Sequence, residues 1–385
     1  MRRLFLALAD RGYAWGVRPL IFRAPAQTAH MRMMRWLALA DRMPALSRML
    51  AGVRGLLMEA RPVTVGGVVL DTPLILAAGL VKGHGFADED AALAAVARGE
   101  NIMPGWRTIP ALAGPVEFGS FTRWPRLGNP GTVMWRDVQT RSTQNRVGLK
   151  NPGVHAAAAF LAARRDSLPE VFGINIAVSP GVVDPDRQTE EVLAGLRAFV
   201  ERGVRPAWFT LNLSCPNTED DPGGHQTASL TEQLCGAAVG YLRTVEAQTG
   251  GAIPLWVKVG PGLDERQYQI LMRVFEAVGV QAVVATNTLA MPTPEDASLA
   301  AGVGGGTLHA HAVAAARALA AAGSEAVHVV GCGGVLDGET CRDFARLGVR
   351  AVQYWSALVY RGPLAAALIA AECAQYEGAK DGTHE

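Results

Sequence analysis

Ala207-Trp208-Phe209-Thr210-Leu211-Asn212-Leu213-Ser214-Cys215-Pro216-Asn217-Thr218 is the stretch from which the fold of this chain can be worked out. It predicts a buried strand that runs into a loop, because Pro216 cannot donate to a sheet and ends the strand. A thiol between carboxamides can serve as a base or nucleophile if its thiolate is stabilised, and each Asn can both donate and accept. The alternative is a buried structural cysteine in a turn that the Asn side chains satisfy.

Seven further apolar runs of this kind occur along the chain, each followed by a stretch of helical character. The eight predicted strands are Leu74–Ala78, Glu117–Thr122, Phe172–Ala177, Trp208–Ser214, Leu255–Val259, Ala282–Thr288, Val327–Gly331 and Ala351–Ser356. The helices between them are predicted at 90–97, 154–164, 192–202, 230–248, 265–278 and 310–322. Eight alternations predict an α/β fold, the (β/α)8 or TIM barrel, preceded by a hairpin at 63–70 around Gly66-Gly67.

Length and composition exclude several classes of protein. With 385 residues, 49% of them hydrophobic, the chain can bury a large core and has no disordered character. Its five cysteines form no CxxC pair, so neither a zinc site nor a disulfide framework is indicated, and we expect no metal. No stretch approaches the 18 or so uncharged apolar residues of a membrane-spanning helix.

The first 60 residues differ from the rest in charge and pattern. They contain ten Arg against Asp10, Asp41 and Glu59, although the net charge of the whole chain is only +1. Apolar and Arg-rich positions alternate at helical spacing over 2–15, about 26–40 and 44–53. We expect a small helical domain over 1–60 that contacts an anionic membrane surface rather than nucleic acid. Alternatively, its Met and Trp residues pack onto the main body, and both can hold at once.

Lysine is rare in this chain and its positions are informative. Only four Lys occur among 36 basic residues, and Lys82 and Lys258 each lie at or just after a predicted strand. A compact ammonium on a flexible stem is indicated at these two positions. The glycines of Gly331-Cys332-Gly333-Gly334 follow the seventh strand, where such barrels bind phosphate, although a GxGG alone more often marks a tight turn.

Eight motifs occur in the order found in one enzyme family. They are Ala77-Ala78-Gly79-Leu80 with Lys82, Asn145-Arg146-Val147-Gly148 with Asn151, Gly173-Ile174-Asn175-Ile176, Asn212 to Thr218, Val257-Lys258, Ala285-Thr286-Asn287-Thr288, Gly331-Cys332-Gly333-Gly334, and Gln353-Tyr354-Trp355-Ser356 with Gly362-Pro363. Over essentially its whole length the chain resembles the dihydroorotate dehydrogenases, which are FMN-containing (β/α)8 barrels.

The resemblance implies a reaction and a set of site residues. The reaction is the FMN-dependent oxidation of dihydroorotate to orotate in pyrimidine (UMP) biosynthesis, with Cys215 as the catalytic base. The implied substrate residues are Lys82, Asn145, Asn212, Asn217, Asn287 and Thr288. The implied FMN contacts are Ala78, Gly79, Asn175, Asn212, Lys258, Thr286, Gly304, Gly333, Gly334, Tyr354 and Ser356. Carboxamides suit a ring of alternating C=O and N–H groups, and Lys258 can stabilise negative charge on a reduced flavin.

The helical N-terminus resembles the membrane-associated class of the family, which passes electrons to quinone, whereas Cys at the base position is typical of the soluble classes. We give the N-terminal extension more weight and expect a peripheral enzyme on the cytoplasmic side of the cell membrane, with a barrel over 61–385. Fumarate and NAD stay open as acceptors. The acidic loop after Thr218 also leaves open another reduced pyrimidine or cyclic amide as substrate. A flavin-binding barrel without turnover is the third alternative.

Overall fold

The computed structural model describes residues 1–213, 228–323 and 325–381 of the chain. Its N-terminal segment is helical: α1 (Arg2–Gly12) continues through a π-helix (Tyr13–Val17) into α2 (Arg18–Phe22), and α3 (Ala26–Ala40) and α4 (Pro44–Leu57) follow. The three predicted helices are therefore confirmed, and the first extends further than its pattern indicated. None of the helices in the described ranges is long and apolar enough to cross a bilayer.

A two-stranded hairpin, β1 (Val63–Val65) and β2 (Val68–Leu70), closes the amino-terminal end of the barrel. Gly66 turns the hairpin with a φ of +52°, and its carbonyl accepts a hydrogen bond from the Trp256 indole at 3.0 Å. A side chain at Gly66 would meet that indole, because a Cβ there would lie 2.5 Å from Trp256 Nε1. Trp256 stacks on Trp208, with ring centroids 4.5 Å apart, and aliphatic side chains surround this pair in the lower barrel.

Eight parallel strands form the closed barrel that the sequence predicts. In chain order they are β3 (Leu74–Leu76), β4 (Val116–Phe121), β7 (Phe172–Ala177), β8 (Trp208–Asn212), β9 (Leu255–Val259), β10 (Ala282–Ala285), β13 (His328–Cys332) and β14 (Ala351–Tyr354). Around the barrel each strand pairs with the next in this order, and β14 pairs with β3. Five of the observed strands end one to three residues earlier than predicted, which leaves Thr286, Asn287 and Thr288 in a loop, whereas β13 ends one residue later, at Cys332.

A second, antiparallel sheet lies outside the eightfold alternation, and the sequence pattern did not reveal it. It contains β5 (Met134–Asp137), β6 (Ser142–Asn145), β11 (Leu289–Pro292) and β12 (Ala300–Gly305), in the order β11-β12-β6-β5. Its strands come from the connections that follow β4 and β10, both of which leave the carboxyl end of the barrel. This sheet therefore extends the barrel mouth, and it carries the predicted site residues Asn145 and Gly304.

The remaining helices surround the barrel. They are α5 (Glu89–Ala97), α6 (Thr108–Ala113), α7 (Val154–Ala162), α8 (Pro185–Val200), α9 (Ala228–Thr249), α10 (Glu265–Val278), α11 (Gly306–Ala322), α12 (Gly338–Ala345), α13 (Ser356–Arg361) and α14 (Ala365–Asp381), with a 3-10 turn at Arg165–Ser167. Asp184 caps α8, and Asp264 and Asp337 begin capping boxes at α10 and α12. The main hydrophobic core lies between the strands and these helices.

Candidate active site

The predicted site residues in the described ranges converge on the carboxyl end of the barrel. Gly79 follows β3, Asn175 lies in β7, Asn212 ends β8 and Lys258 lies in β9. Thr286, Asn287 and Thr288 follow β10, Gly333 and Gly334 follow β13, and Ser356 begins α13 after β14. Parallel strands of a barrel end on one face, so these side chains share one mouth. The predicted base Cys215 and the predicted ligand Asn217 lie outside the described residues.

A fully buried carboxylate, Glu117 of β4, is the centre of a polar network inside the barrel. Its Oε1 accepts a hydrogen bond from Asn175 Nδ2 at 2.7 Å. Its Oε2 accepts three, from the Thr210 hydroxyl at 2.7 Å and from Trp208 Nε1 and Gln353 Nε2 at 3.1 Å each. A buried carboxylate is costly unless its oxygens are hydrogen-bonded, and four donors meet that requirement here.

Lys258 joins this network through Gln353. Its Nζ donates to Gln353 Oε1 at 2.9 Å, while the other end of the same amide donates to Glu117. Lys258 is only 6% exposed, so its charge is balanced across one amide by the buried Glu117 carboxylate. The rare lysine that the sequence indicated is thus fixed at the barrel mouth.

Asn175 offers an acceptor to a ligand. Its Nδ2 is committed to Glu117, whereas its buried Oδ1 has no hydrogen-bond partner within the part of the chain that the structure describes. The buried hydroxyl of Thr288 likewise has no hydrogen-bond partner among the described residues. Buried polar atoms in native proteins are nearly always hydrogen-bonded, so orphaned atoms of two predicted ligand residues fit a site built for a polar ring.

A pair of carboxamides lies beside the network. Asn287 Nδ2 donates to Asn212 Oδ1 at 3.3 Å, and Asn212 Nδ2 lies 3.5 Å from the Ser120 hydroxyl, at the outer limit of a hydrogen bond. The Thr288 backbone N–H in turn donates to Asn287 Oδ1 at 2.8 Å. These contacts place two of the four predicted substrate amides side by side.

Hydroxyls surround Gly304 at the barrel mouth. Thr143 Oγ1 and Ser356 Oγ are 2.8 Å apart, and a Cβ on Gly304 would lie 3.7 Å from both Ser356 Oγ and Thr288 Cγ2. The long helix α11 begins two residues later, and in its first turn the Thr307 N–H donates to the Ser142 hydroxyl at 3.0 Å. Hydroxyls and helical N–H groups suit a phosphate, as expected for this end of such a barrel.

Gly333 and Gly334 pack directly onto α11, with φ of +137° and +66°. A Cβ on Gly333 would come within 2.5 Å of Ala312 Cβ, and one on Gly334 within 2.6 Å of His309 Cβ. His309 holds this turn from the other side, since its Nδ1 lies 3.1 Å from the Gly333 carbonyl and its Nε2 lies 3.0 Å from Asp343. Both glycines are required for the turn itself, whichever ligand it meets.

Tyr354 differs from the other predicted cofactor residues in where its side chain points. Side chains alternate along a strand, and Gln353 faces the barrel interior, so Tyr354 faces the surrounding helices. Its hydroxyl is buried, and burial raises the pKa of Tyr354 above its ordinary value. The next residue, Trp355, lies at the mouth, where a Cβ on Gly79 would be 3.7 Å from the indole nitrogen. A contact of Tyr354 with the phosphate end would therefore involve its backbone.

Helix α3 reaches the same mouth from outside the barrel. The pKa of His30 is lowered from 6.5 to about 4, chiefly because burial disfavours the imidazolium, and also because Lys82 and Lys150 place positive charge nearby. Lys82 follows β3, and Asn145 ends β6, where it pairs with Gly302 of β12. The N-terminal helices and two predicted substrate residues thus lie on one side of the barrel.

Sequence reasoning assigned no role to Glu117, Ser120, Thr143 or Trp355. Glu117 carried a usable signal, since it is the one charged residue in the predicted strand Glu117–Thr122. A charge within an apolar strand is seldom buried without a partner. Thr143 carried none, because its proximity to Ser356 depends on the antiparallel sheet.

Comparison with known proteins identifies the chain's relatives. The family model for dihydroorotate dehydrogenase matches residues 62–376. A dihydroorotate dehydrogenase (quinone) of Chromobacterium violaceum is 30% identical over 370 residues, which cover 95% of this chain and 98% of that protein. The enzyme of the same name from Methylococcus capsulatus is 30% identical over 354 residues, covering 90% and 94%.

Solved structures share the fold at lower identity. The crystal structure of the Eimeria tenella dihydroorotate dehydrogenase in complex with ferulenol superposes with a TM-score of 0.73, at 20% identity, and covers 94% of this chain and 95% of that one. A ligand-free structure of the Eimeria protein gives a TM-score of 0.69 at 21% identity. The barrel and the N-terminal helical segment therefore occur together in solved proteins.

Proposed function

This chain belongs to the dihydroorotate dehydrogenase family, and on that premise we propose that it oxidises dihydroorotate to orotate in pyrimidine biosynthesis, with a quinone as electron acceptor. The observation that carries the proposal is the barrel mouth. It combines the amide pair Asn212 and Asn287, the fixed ammonium of Lys258 and the orphaned acceptor of Asn175. Together they suit a polar pyrimidine ring lying against a planar cofactor.

The cofactor that we propose is FMN, which accepts a hydride from the substrate when bound. Asn175 and Lys258 would hold its ring, while Gly304, Ser356 and the start of α11 would hold its phosphate. Lys258 places a desolvated positive charge where negative charge develops during the reaction, which favours the transition state over the ground state. Gln353 prevents this ammonium from moving, because it accepts a hydrogen bond from Nζ and is itself held by Glu117.

The substrate is oriented by amides and deprotonated by a thiol in this proposal. Asn212 and Asn287 offer a donor and an acceptor to neighbouring polar atoms of the ring, and Asn145, Asn217, Thr288 and Lys82 complete the proposed set. Cys215 takes a proton from a ring carbon as the general base. The substrate must exclude water from this thiol for the base to be effective.

Residues 1–60 are proposed to form the membrane- and quinone-associated part. Large apolar side chains of α1 and the following π-helix are exposed, including Leu4 at 64%, Leu8 at 57% and Trp15 at 85%. On α3, Trp36 is 70% exposed although Leu37 is buried against the barrel. Apolar side chains interleaved with Arg suit the interface of an anionic bilayer, and so we propose peripheral association with the cytoplasmic side of the cell membrane.

The reaction is tested by an anaerobic absorbance spectrum of the purified protein before and after addition of dihydroorotate. Bleaching of the oxidised-flavin band is expected, and recovery on addition of quinone, but not of fumarate or NAD, would identify the acceptor. A yellow protein that stays yellow would exclude dihydroorotate as substrate. A colourless protein that takes up no FMN would overturn the cofactor assignment.

Membrane association is tested by flotation with vesicles of phosphatidylglycerol and phosphatidylcholine. We expect the protein to float with the anionic vesicles, and the double substitution of Trp15 and Trp36 by Ser to reduce that fraction. Val183→Ser is the matched control, because Val183 is 82% exposed and lies before α8 on the barrel. Equal flotation of both variants would contradict the proposed surface.

A further inference from the structure

We propose that Glu117 is a positioning residue that fixes the amide of Asn175 so that an acceptor oxygen faces an N–H of the bound flavin ring. Glu117 also accepts a hydrogen bond from Gln353 Nε2, which fixes the Gln353 amide so that its oxygen accepts a hydrogen bond from Lys258 Nζ. The inference rests on the proposed binding of FMN and adds to it a residue that touches neither cofactor nor substrate. Glu117 is buried at 0% exposure, so its influence is exerted only through the groups that it contacts.

A carboxylate is well suited to select the orientation of an amide. The two ends of an Asn or Gln side chain have nearly the same shape, and only hydrogen-bond partners distinguish them. An ionised carboxylate accepts and cannot donate, so the NH2 group of each neighbouring amide must turn toward it. Asn175 Nδ2 donates to Glu117 Oε1 at 2.7 Å, and the Asn175 oxygen is left facing away from it.

The second oxygen of Glu117 explains why this arrangement is rigid. Oε2 accepts hydrogen bonds from Thr210, Trp208 and Gln353. In the observed geometry the Thr210 hydroxyl and the Trp208 indole can only donate to this oxygen. Trp208 Nε1 also lies 3.1 Å from the Thr210 hydroxyl, which commits that hydroxyl's proton to Glu117. The Glu117 carboxylate therefore cannot rotate to a different set of hydrogen-bond partners without losing several of these hydrogen bonds.

The consequence for the ligand is chemical selectivity. Asn175 Oδ1 has no partner among the residues that the structure describes, and it can be satisfied only by a donor. An oxidised isoalloxazine carries a single ring N–H, so this acceptor would distinguish a flavin from an analogue methylated at that nitrogen. Reversal of the Asn175 amide would present NH2 instead, which opposes the ring N–H, so binding of the unmethylated flavin would weaken and the preference for it would fall.

The substitution Glu117→Gln is expected to cause that reversal. The introduced amide would keep its oxygen toward Thr210, Trp208 and Gln353, because these groups all donate. Its NH2 would then face Asn175, which must turn to accept. The double substitution E117Q/N175D would place a carboxylate at position 175. One of its oxygens accepts from the introduced NH2, and the other is presented to the ligand.

The experiment measures binding of FMN and of N3-methyl-FMN by flavin fluorescence, in protein freed of cofactor and then reconstituted. Wild type is expected to prefer FMN by about tenfold or more, a preference that falls in E117Q and returns in E117Q/N175D. Thr210→Val is the matched control, because it removes one hydrogen bond to Glu117 without changing the amide of Asn175, and it should keep the preference. Thermal melting of each variant verifies that it is folded.

The outcomes separate this inference from the proposed function. Failure of wild type to bind FMN would overturn the cofactor assignment and the inference together. Wild type that binds FMN while E117Q keeps the same preference would overturn the inference alone. So would equal loss in E117Q and T210V, which would indicate a merely structural role. Failure of both E117Q and E117Q/N175D to fold would also count against it, because in the double variant the introduced amide oxygen still accepts from Thr210, Trp208 and Gln353 and the carboxylate at position 175 accepts from the introduced NH2.

Discussion

The carboxylate of Asp41, in the turn between α3 and α4, accepts hydrogen bonds from both the backbone N–H and the hydroxyl of Thr108, at 3.0 and 2.7 Å. It also accepts from the Gly105 N–H at 2.7 Å and from Asn101 Nδ2 at 2.9 Å. Asp41 is only 5% exposed. One buried carboxylate thus joins the N-terminal helices to the segment between α5 and β4.

We expect Asp41→Ala to lower the free energy of unfolding by about 3 kcal/mol, because it leaves several buried donors without an acceptor. Urea unfolding measures this, and Asp41→Asn should lose less, since its amide oxygen can still accept. We also expect Asp41→Ala to lower quinone reduction more than reduction of a soluble dye. Equal loss with both acceptors would contradict a specific role of the helices toward quinone.

Lys258→Met is expected to slow anaerobic reduction of the flavin by dihydroorotate by about 10²–10³-fold. The substitution keeps the length and apolar stem of the side chain but removes the charge that Gln353 holds in place. Rapid mixing followed by absorbance gives the rate. FMN content must be measured alongside, because a loss of rate in proportion to lost cofactor would show that Lys258 only binds it.

Cys215→Ala is expected to lower turnover by about 10²–10⁴-fold if the thiol is the general base. Cys235→Ala is the matched control. Burial raises the pKa of Cys235 to about 12, so its thiol cannot serve as a base near neutral pH, and α9 places it behind the barrel wall. Cys215→Ser with nearly unchanged turnover would favour a structural thiol instead.

The pKa of His30, lowered from 6.5 to about 4, predicts a loss of stability in acid. Between these two values the unfolded chain binds a proton that the folded chain does not, so the free energy of unfolding decreases as pH falls from about 6.5 to about 4. Above pH 6.5 the imidazole is neutral in both the folded and the unfolded chain, so it does not contribute to the dependence of the free energy of unfolding on pH. His30→Gln should flatten this dependence in urea unfolding at a series of pH values. An unchanged pH dependence in His30→Gln would contradict a neutral imidazole in the folded protein.

Gly334→Ala and Gly131→Ala form a matched pair for the proposed phosphate turn. Both glycines have left-handed φ, +66° and +77°, but a Cβ on Gly334 would clash with His309 whereas none of the described atoms lies within 4 Å of one on Gly131. Gly131→Ala should cost about 1 kcal/mol of stability and leave FMN content unchanged. Gly334→Ala should cost more and lower the FMN content of the purified protein. Equal FMN content in both would contradict a role of the turn in holding phosphate.

Much of the fold could be predicted from the sequence, because the barrel repeats a local pattern. Apolar runs such as Phe172–Ala177 and Leu255–Val259 coincide with the observed strands, since both are buried on two faces. The antiparallel sheet could not be predicted in this way. Its short strands, such as Ser142–Asn145, are polar, and they form because distant segments meet above the barrel.

The candidate site was predictable where strand ends carry polar residues, as at Asn212 and Lys258. The charge of Glu117 within an apolar strand was a usable signal, but its hydrogen bond to Gln353 required the structure, since a contact between strands far apart in the chain leaves no local pattern. Tyr354 shows the converse, because the motif indicated the right strand end but not which face its side chain occupies. The assignment of Cys215 and Asn217 stays a prediction from the motif alone.

The antiparallel sheet also constrains the order in which the protein can assemble. Gly302 pairs with Asn145, and these two residues are separated by most of the barrel sequence. Pairing of segments so far apart carries a large entropic cost of loop closure and is slow for that reason. A nascent chain on the ribosome therefore lacks a finished mouth until residues beyond 305 have emerged, and the proposed FMN would be acquired late in biosynthesis, by a barrel that is already closing.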